Sequence, residues 1–192
     1  MDDIAERDPY DMAPCAYCGV LRRDILSRFA DRYDADLLLT GHNLDDEAET
    51  ALMNVLEGNV SQMAKHFDAS LGPIPERGEG AGFVPRAKPL RDVPEKEVAL
   101  YAYLEDLPAQ IAECPYATQS FRGDIRELLL SLEDDHPGTR HSVMAGYEEI
   151  AGLVAAEHRN GTSTNGEECI RCGQPTDSGL CRRCELLDAI DA

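Results

Sequence analysis

The sequence predicts an α/β chain, a small sheet flanked by helices, that ends in a separate metal-bound module. Three observations carry this. Apolar residues recur at helical spacing in several stretches, and the short run Leu37-Leu38-Leu39 leads through Gly41 into one of them, as a buried strand followed by a helix would. The last stretch, 169–192, holds two C-x-x-C pairs and follows a polar segment with no apolar anchor. A hydrophobic share of 43% supports a buried core, and an aromatic share of 6% makes that core mainly aliphatic.

The elements follow in order. Residues 1–13 are polar and without period, so they read as an extended lead. Leu21, Ile25, Phe29 and Tyr33 recur every four positions with Arg22, Arg23 and Arg28 on other faces, which predicts an amphipathic helix from Val20 to about Tyr33, starting just after Cys18. Asp36–Thr40 is a strand. Leu44, Ala48, Ala51, Leu52, Val55 and Leu56 then form a helix capped by Asn43 and closed at Gly58, with Asp45, Asp46 and Glu47 at the favourable end of its dipole. Residues 58–92 are rich in Gly and Pro and read as loop, with a short strand between Phe83 and Leu90. Asp92 and Pro94 open a helix to about Leu104, and two more are expected over 122–134 and 138–157, separated by His136-Pro137-Gly138. The predicted domains are therefore 1–157, a linker at 158–168 and a module at 169–192.

The balance of 18 Lys+Arg against 37 Asp+Glu leaves a net charge of −19, and only three of the cations are lysines (Lys65, Lys88, Lys96). Few lysines and many carboxylates fit a salt-rich cytoplasm, where a Debye length near ~3 Å at molar salt screens self-repulsion; an ordinary acidic protein is the alternative. The halophilic reading predicts that circular dichroism shows the fold lost in dilute buffer and regained in molar salt, whereas a chain stable without salt sinks it. Basic clusters (Arg22, Arg23, Arg28; Arg86, Lys88, Arg91; Arg171, Arg182, Arg183) leave room for local contact with a polyanion. No apolar run approaches the ~18 residues of a membrane helix, and the first residues are acidic where a targeting peptide is basic, so a cytoplasmic protein with no membrane partner is expected.

Seven cysteines, largely in C-x-x-C pairs, point to metal or redox chemistry. Cys169, Cys172, Cys181 and Cys184 form two knuckles, each aiming two thiolates at one ion, which is the donor set of a closed structural zinc site. So short a module builds no core alone, so metal binding is coupled to its folding. Cys15, Cys18 and Cys114 admit three readings: three corners of a 4Fe-4S cluster with one iron open, a redox pair with Cys114 incidental, or half of a zinc site completed from another chain. Thr40-Gly41-His42-Asn43-Leu44-Asp45-Asp46-Glu47 lies between a strand and a helix, where open α/β sheets bind ligands, although capping alone would use one or two of its carboxylates. His66, His136, His141 and His158 show no site spacing.

Together, C-x-x-C-G-x-x-R-R at 15–23, TGHNLDD-E-x-E-T with Leu52-Met53-Asn54, Arg86-x-Lys88-Pro89-Leu90, Cys114-Pro115-Tyr116 and the four-cysteine tail resemble the NcsA and TtuA group of tRNA 2-thiolation enzymes, members of the PP-loop ATPase superfamily. The resemblance runs over residues 14–190 and is closer to the NcsA branch, which acts on the anticodon wobble uridine. It implies a truncated adenine-nucleotide-hydrolase-like sheet with a C-terminal zinc ribbon that helps hold tRNA. It also implies cluster ligation by Cys15, Cys18 and Cys114, a catalytic carboxylate at Asp45 and a basic group near the cluster at Arg22. In such enzymes ATP with Mg adenylates the C2 oxygen of uridine, and sulfide then displaces AMP. The resemblance further implies a ubiquitin-like sulfur carrier or free sulfide as donor, and a homodimer.

The family's phosphate-cradling S-G-G-x-D-S type sequence is not found in the chain. The expectation is a fragment, or one half of a split enzyme working with a separate PP-loop-bearing chain, that does not hydrolyse ATP alone. The rival from another class is a non-catalytic zinc-ribbon module binding RNA or a protein. A third reading keeps the enzyme without the cluster, its thiols carrying persulfide sulfur.

Overall fold

The computed structural model of the chain describes residues 10, 14–71, 84–109, 114–116, 120–161, 167–176 and 178–191. Apart from Tyr10, the expected extended lead lies outside the described residues, as do residues 72–83 of the Gly- and Pro-rich stretch and 162–166 of the expected linker. The elements are α1 (Pro14–Arg32), β1 (Leu38–Leu39), α2 (Leu44–Leu56), α3 (Val60–His66) running into a π-helical turn (Phe67–Leu71), β2 (Arg86–Ala87), α4 (Glu95–Leu104), α5 (Phe121–Asp135), α6 (Thr139–Gly161), β3 (Glu167–Glu168), β4 (Pro175–Thr176) and α7 (Arg182–Asp191). Helices dominate. β1 pairs with β2, the N–H groups of Leu38 and Thr40 reaching the carbonyls of Pro85 and Ala87 in a parallel progression, while β3 and β4 pair antiparallel.

The predicted caps form as the side-chain chemistry requires. Asn43 and Asp46 exchange side-chain-to-backbone bonds of 3.1 Å in a capping box at the start of α2. At its other end Gly58 has φ +63°, and the Asn59 and Gly58 N–H groups bond the Asn54 and Val55 carbonyls, the two bonds of a Schellman motif. Glu133 accepts from the N–H groups of Gly138 and Arg140, which holds the α5–α6 turn and keeps its carboxyl below the ordinary range.

Five expectations need correction. α1 begins at Pro14, before the C-x-x-C, because proline at a first helical position has no N–H to leave unsatisfied; Cys15 and Cys18 are helical residues. The stripe Ile25–Phe29–Tyr33 is exposed, and α1 buries Tyr17, Ser27 and Ala30 instead. Among the described residues that stripe stays uncovered, with Phe29 and Tyr33 stacked at 6.2 Å between centroids. The loop expected from residue 58 contains α3: Asn59 caps it through Gln62 N–H, and Met63 and Ala64 are buried. The segment read as a linker begins as helix, since α6 continues through His158 to Gly161. α4 starts one residue after Pro94, and Asp92 does not cap it; the Asp45 carboxylate accepts from Glu95 N–H at 2.7 Å.

The chain divides into two compact units: Met1–Leu38, Pro75–Pro85 and Ser163–Ala192 in one, and Leu39–Ile74 with Arg86–Thr162 in the other. In the second, α2, α3, α5 and α6 close on Leu44, Ala48, Ala51, Met63, Leu71, Ile125, Leu129, Met144, Tyr147 and Ala151. The alanines at 48, 51 and 151 are fully buried, so these helices approach closely. Gly152 serves the same end, since a Cβ there would sit 3.1 Å from the Phe67 ring. In the first unit α7 packs on α1. Among the described residues no helix is long and apolar enough to cross a membrane.

Candidate functional site

The tail builds its donor set from backbone turns. Gly173 takes φ +71° and its N–H closes on the Cys169 carbonyl, while Cys169 N–H reaches Gln174 and Ile170 N–H reaches Gly179. These bonds fold the first knuckle over the second. The four sulfurs of Cys169, Cys172, Cys181 and Cys184 lie within 4.8 Å of one another, and Cys172 and Cys181 are 3.5 Å apart. Cys169 and Cys184 are buried, as is Leu186. Cys181 N–H points at the Cys169 sulfur at 3.3 Å and leads the groups that pull that thiol down, whereas burial pushes Cys184 and Cys181 up. Four converging sulfurs, one already favoured as thiolate by amide donors, fit a tetrahedral thiophilic ion such as zinc.

Cys15 and Cys18 sit in the first turns of α1, three residues apart and so neighbours on the helix surface. Tyr17, fully buried between them in sequence, anchors this turn, and its hydroxyl accepts Tyr10 N–H at 3.1 Å. Cys15 is exposed and Cys18 half-exposed, with the Arg22 guanidinium one turn on and 3.5 Å from the Cys18 sulfur. Cys114 is exposed in a loop of the other unit. No disulfide joins the seven cysteines. The structure thus gathers the four tail cysteines, and puts Cys15, Cys18 and Arg22 on one helix end. The donors at α1, two accessible thiols with a cation beside one of them, are of the kind a cluster takes.

Asp45 is largely buried. Besides capping α4 it lies 3.0 Å from Arg140 Nε, an ion pair in which the buried N–H is aimed off the oxygen and makes no directed hydrogen bond. His42 stays at the mouth of β1 with Nδ1 against the Thr40 hydroxyl at 2.9 Å, and burial together with Lys88 lowers its pKa.

A buried ionic array in the same unit has no counterpart in the motif reading. Glu47, 1% exposed, accepts from Lys88 Nζ at 2.6 Å and meets His66 Nε2 at 3.1 Å; His66 Nδ1 meets the Tyr147 hydroxyl, which also accepts from Asn54. Burial pushes Glu47 up, but the bonds from His66 and Lys88 outweigh it and bring it to about 2. One signal was present: Glu47 falls three residues after Leu44, on the apolar stripe of α2, where a carboxylate needs partners. Nearby Glu49 is also buried and held above the ordinary range, only partly offset by Arg122 at 2.7 Å and Arg126 at 3.5 Å.

No family model matches the chain. It is 61% identical, over all of its 192 residues and 60% of the relative's length, to the tRNA 2-thiolation protein NcsA of Haloferax volcanii. It is 36% identical over 178 residues, 92% of the chain and 48% of the relative, to cytoplasmic tRNA 2-thiolation protein 1 of Danio rerio. Among solved structures it resembles the U34-tRNA thiolase NcsA of Methanococcus maripaludis with its [4Fe-4S] cluster, at TM-score 0.71 and 37% identity, over 92% of this chain and 53% of that one. The chain therefore spans about half to three fifths of the length of the relatives it matches.

Proposed function

We propose that this chain, which belongs to the NcsA-type tRNA 2-thiolation family over the part of the fold it spans, is the cluster- and tRNA-binding portion of a tRNA uridine 2-sulfurtransferase acting at the anticodon wobble position. The observation that carries the reading is the pair of accessible cysteines on the first turns of α1 with Arg22 against one of them, in a chain like a solved thiolase that holds a [4Fe-4S] cluster. Cys15, Cys18 and Cys114 are its cluster ligands, and Cys169, Cys172, Cys181 and Cys184 hold zinc. When bound, a cluster with three protein ligands supplies an open iron for the sulfur to be transferred.

The chain's own residues then act around the substrate. Arg22 offsets negative charge developing where AMP leaves, and Asp45, fixed by Arg140 and the start of α4, moves a proton at the activated uridine. Activation needs ATP with Mg, because a C2 oxygen leaves poorly until adenylated. The family's phosphate-cradling sequence is not in this chain, so adenylation draws on residues beyond it, on the same polypeptide or a separate one. The exposed Ile25–Phe29–Tyr33 stripe supports that reading, since a monomer rarely leaves such a face bare. Sulfur comes from a ubiquitin-like carrier or from sulfide, the assembly is a homodimer, and the protein works in the cytoplasm of a salt-adapted cell.

Metal analysis after anaerobic, high-salt purification tests this. The expected content per chain is about four iron, four acid-labile sulfides and one zinc. Cys114→Ser is expected to lose the iron and keep the zinc. One zinc with no iron would overturn the cluster reading and leave a ribbon-bearing binding module or a persulfide enzyme, which Cys15→Ser and Cys114→Ser would separate by their effect on thiolation.

A further inference from the structure

We propose that Asp24 is a positioning residue that ties the second cysteine knuckle to α1, so that metal loading in the tail sets the order of the helix turn bearing Cys15 and Cys18. Its functional meaning rests on the reading of those two cysteines above; the coupling itself does not.

The two residues between Cys181 and Cys184 are both arginines, and both reach the α1 side of their unit. Arg183 Nε lies 2.9 Å from Asp24 Oδ2, and Arg28 Nε donates to the same oxygen at 2.8 Å. The Asp24 side chain is only 11% exposed, so two guanidiniums converge on one poorly hydrated carboxylate. The Arg182 guanidinium stacks 4.8 Å over the Tyr10 ring, and Tyr10 N–H bonds the buried Tyr17, which stands between the two cysteines. The tail thus holds α1 at two places: directly at Asp24, and nearly two turns earlier through Tyr10 and its bond to Tyr17.

Both grips depend on the tail being folded. Arg182 and Arg183 open α7, whose start is pinned by the side chains of Cys181 and the fully buried Cys184. Those side chains converge on one point, their sulfurs within 4.8 Å of those of Cys169 and Cys172, and a shared ion is what ties the two knuckles together there. Loss of the metal frees the knuckle, withdraws both arginines and leaves Asp24 with Arg28 alone. Asp24 is the point where the effect enters α1.

The test uses the full, zinc-loaded chain in high salt, read by hydrogen–deuterium exchange over 14–28 and by metal content. Asp24→Asn is expected to speed exchange in that segment by roughly tenfold, the size of a coupling between directly bonded side chains. It keeps one zinc and lowers iron uptake, while Asp24→Glu restores protection. Chelating zinc from the parent chain gives at least that loss over 14–28, and chelation adds clearly less in Asp24→Asn, where only the Arg182–Tyr10 contact is left to lose. Arg183→Gln is the second variant, breaking the same contact from the tail side should Asp24→Asn fail to fold. Unchanged exchange in Asp24→Asn, or a chelation effect on α1 as large there as in the parent, overturns the coupling. A parent chain that takes no iron overturns the cluster reading instead and leaves the exchange result standing.

Discussion

Removing the tail's metal is expected to unfold residues 167–191 outright. Among its described residues this segment has two two-residue strands and one ten-residue helix, far too little apolar surface to hold itself together, and the four sulfurs, two of them buried, meet at its centre. Apparent binding free energies for structural zinc in such modules run to about 10–16 kcal/mol at neutral pH, more than the stability of most domains. Chelation, or Cys184→Ser, should therefore abolish amide protection throughout the tail while the α2–α3–α5–α6 core keeps its own. Because burial raises the Cys184 thiol, loading must expel its proton, and metal uptake should weaken as pH falls. A tail that keeps its protection after complete chelation would show that the four cysteines are not a metal site.

The second large effect concerns Glu47. Its carboxyl is brought to about 2 in the fold, against an ordinary 4.5, by His66 and Lys88 in spite of burial. A carboxylate with a depressed folded pKa contributes stability that is complete above 4.5 and is lost as the pH falls toward 2. The loss amounts to about 3 kcal/mol over that window. Glu47→Gln leaves the Lys88 ammonium facing a neutral amide in a buried site, and the expected destabilisation at pH 7 is roughly 3–5 kcal/mol. Urea unfolding at pH 7 and at pH 3 checks both: by pH 3 the parent should have lost about 2 kcal/mol of this stability and the variant much less. A variant as stable as the parent at pH 7 would mean that the array contributes nothing net.

The same array shows where motif reading stops. Lys88 was visible in the Arg-x-Lys-Pro-Leu pattern and Glu47 in the acidic run after His42, but His66 has no spacing that relates it to either. It reaches Glu47 because α3 folds back within the helical unit, and α3 itself was hidden in a stretch read as loop. Asp45 is a related case. Its place at the mouth of a strand suggested chemistry, and the structure adds two partners far along the chain, Arg140 and the Glu95 amide, which fix where its oxygens point.

Local physical chemistry, which needs only near neighbours in the chain, was legible from the residues alone. Asn43 and Asp46 exchange bonds across three residues, Gly58 supplies the left-handed step that ends α2, and two C-x-x-C turns aim their four sulfurs at one point. Which face of a helix is buried was not, because that depends on what packs against it. Ile25, Phe29 and Tyr33 make the better apolar stripe on α1, yet the helix buries Tyr17, Ser27 and Ala30. Val55 and Leu56 lie on the apolar pattern of α2 and remain exposed, while Glu47, Glu49 and Asn54 go inside with their partners. Periodicity counts hydrophobic side chains along one helix. Tertiary structure decides by pairing charges and fitting small residues between helices, and those partners lie dozens of residues away.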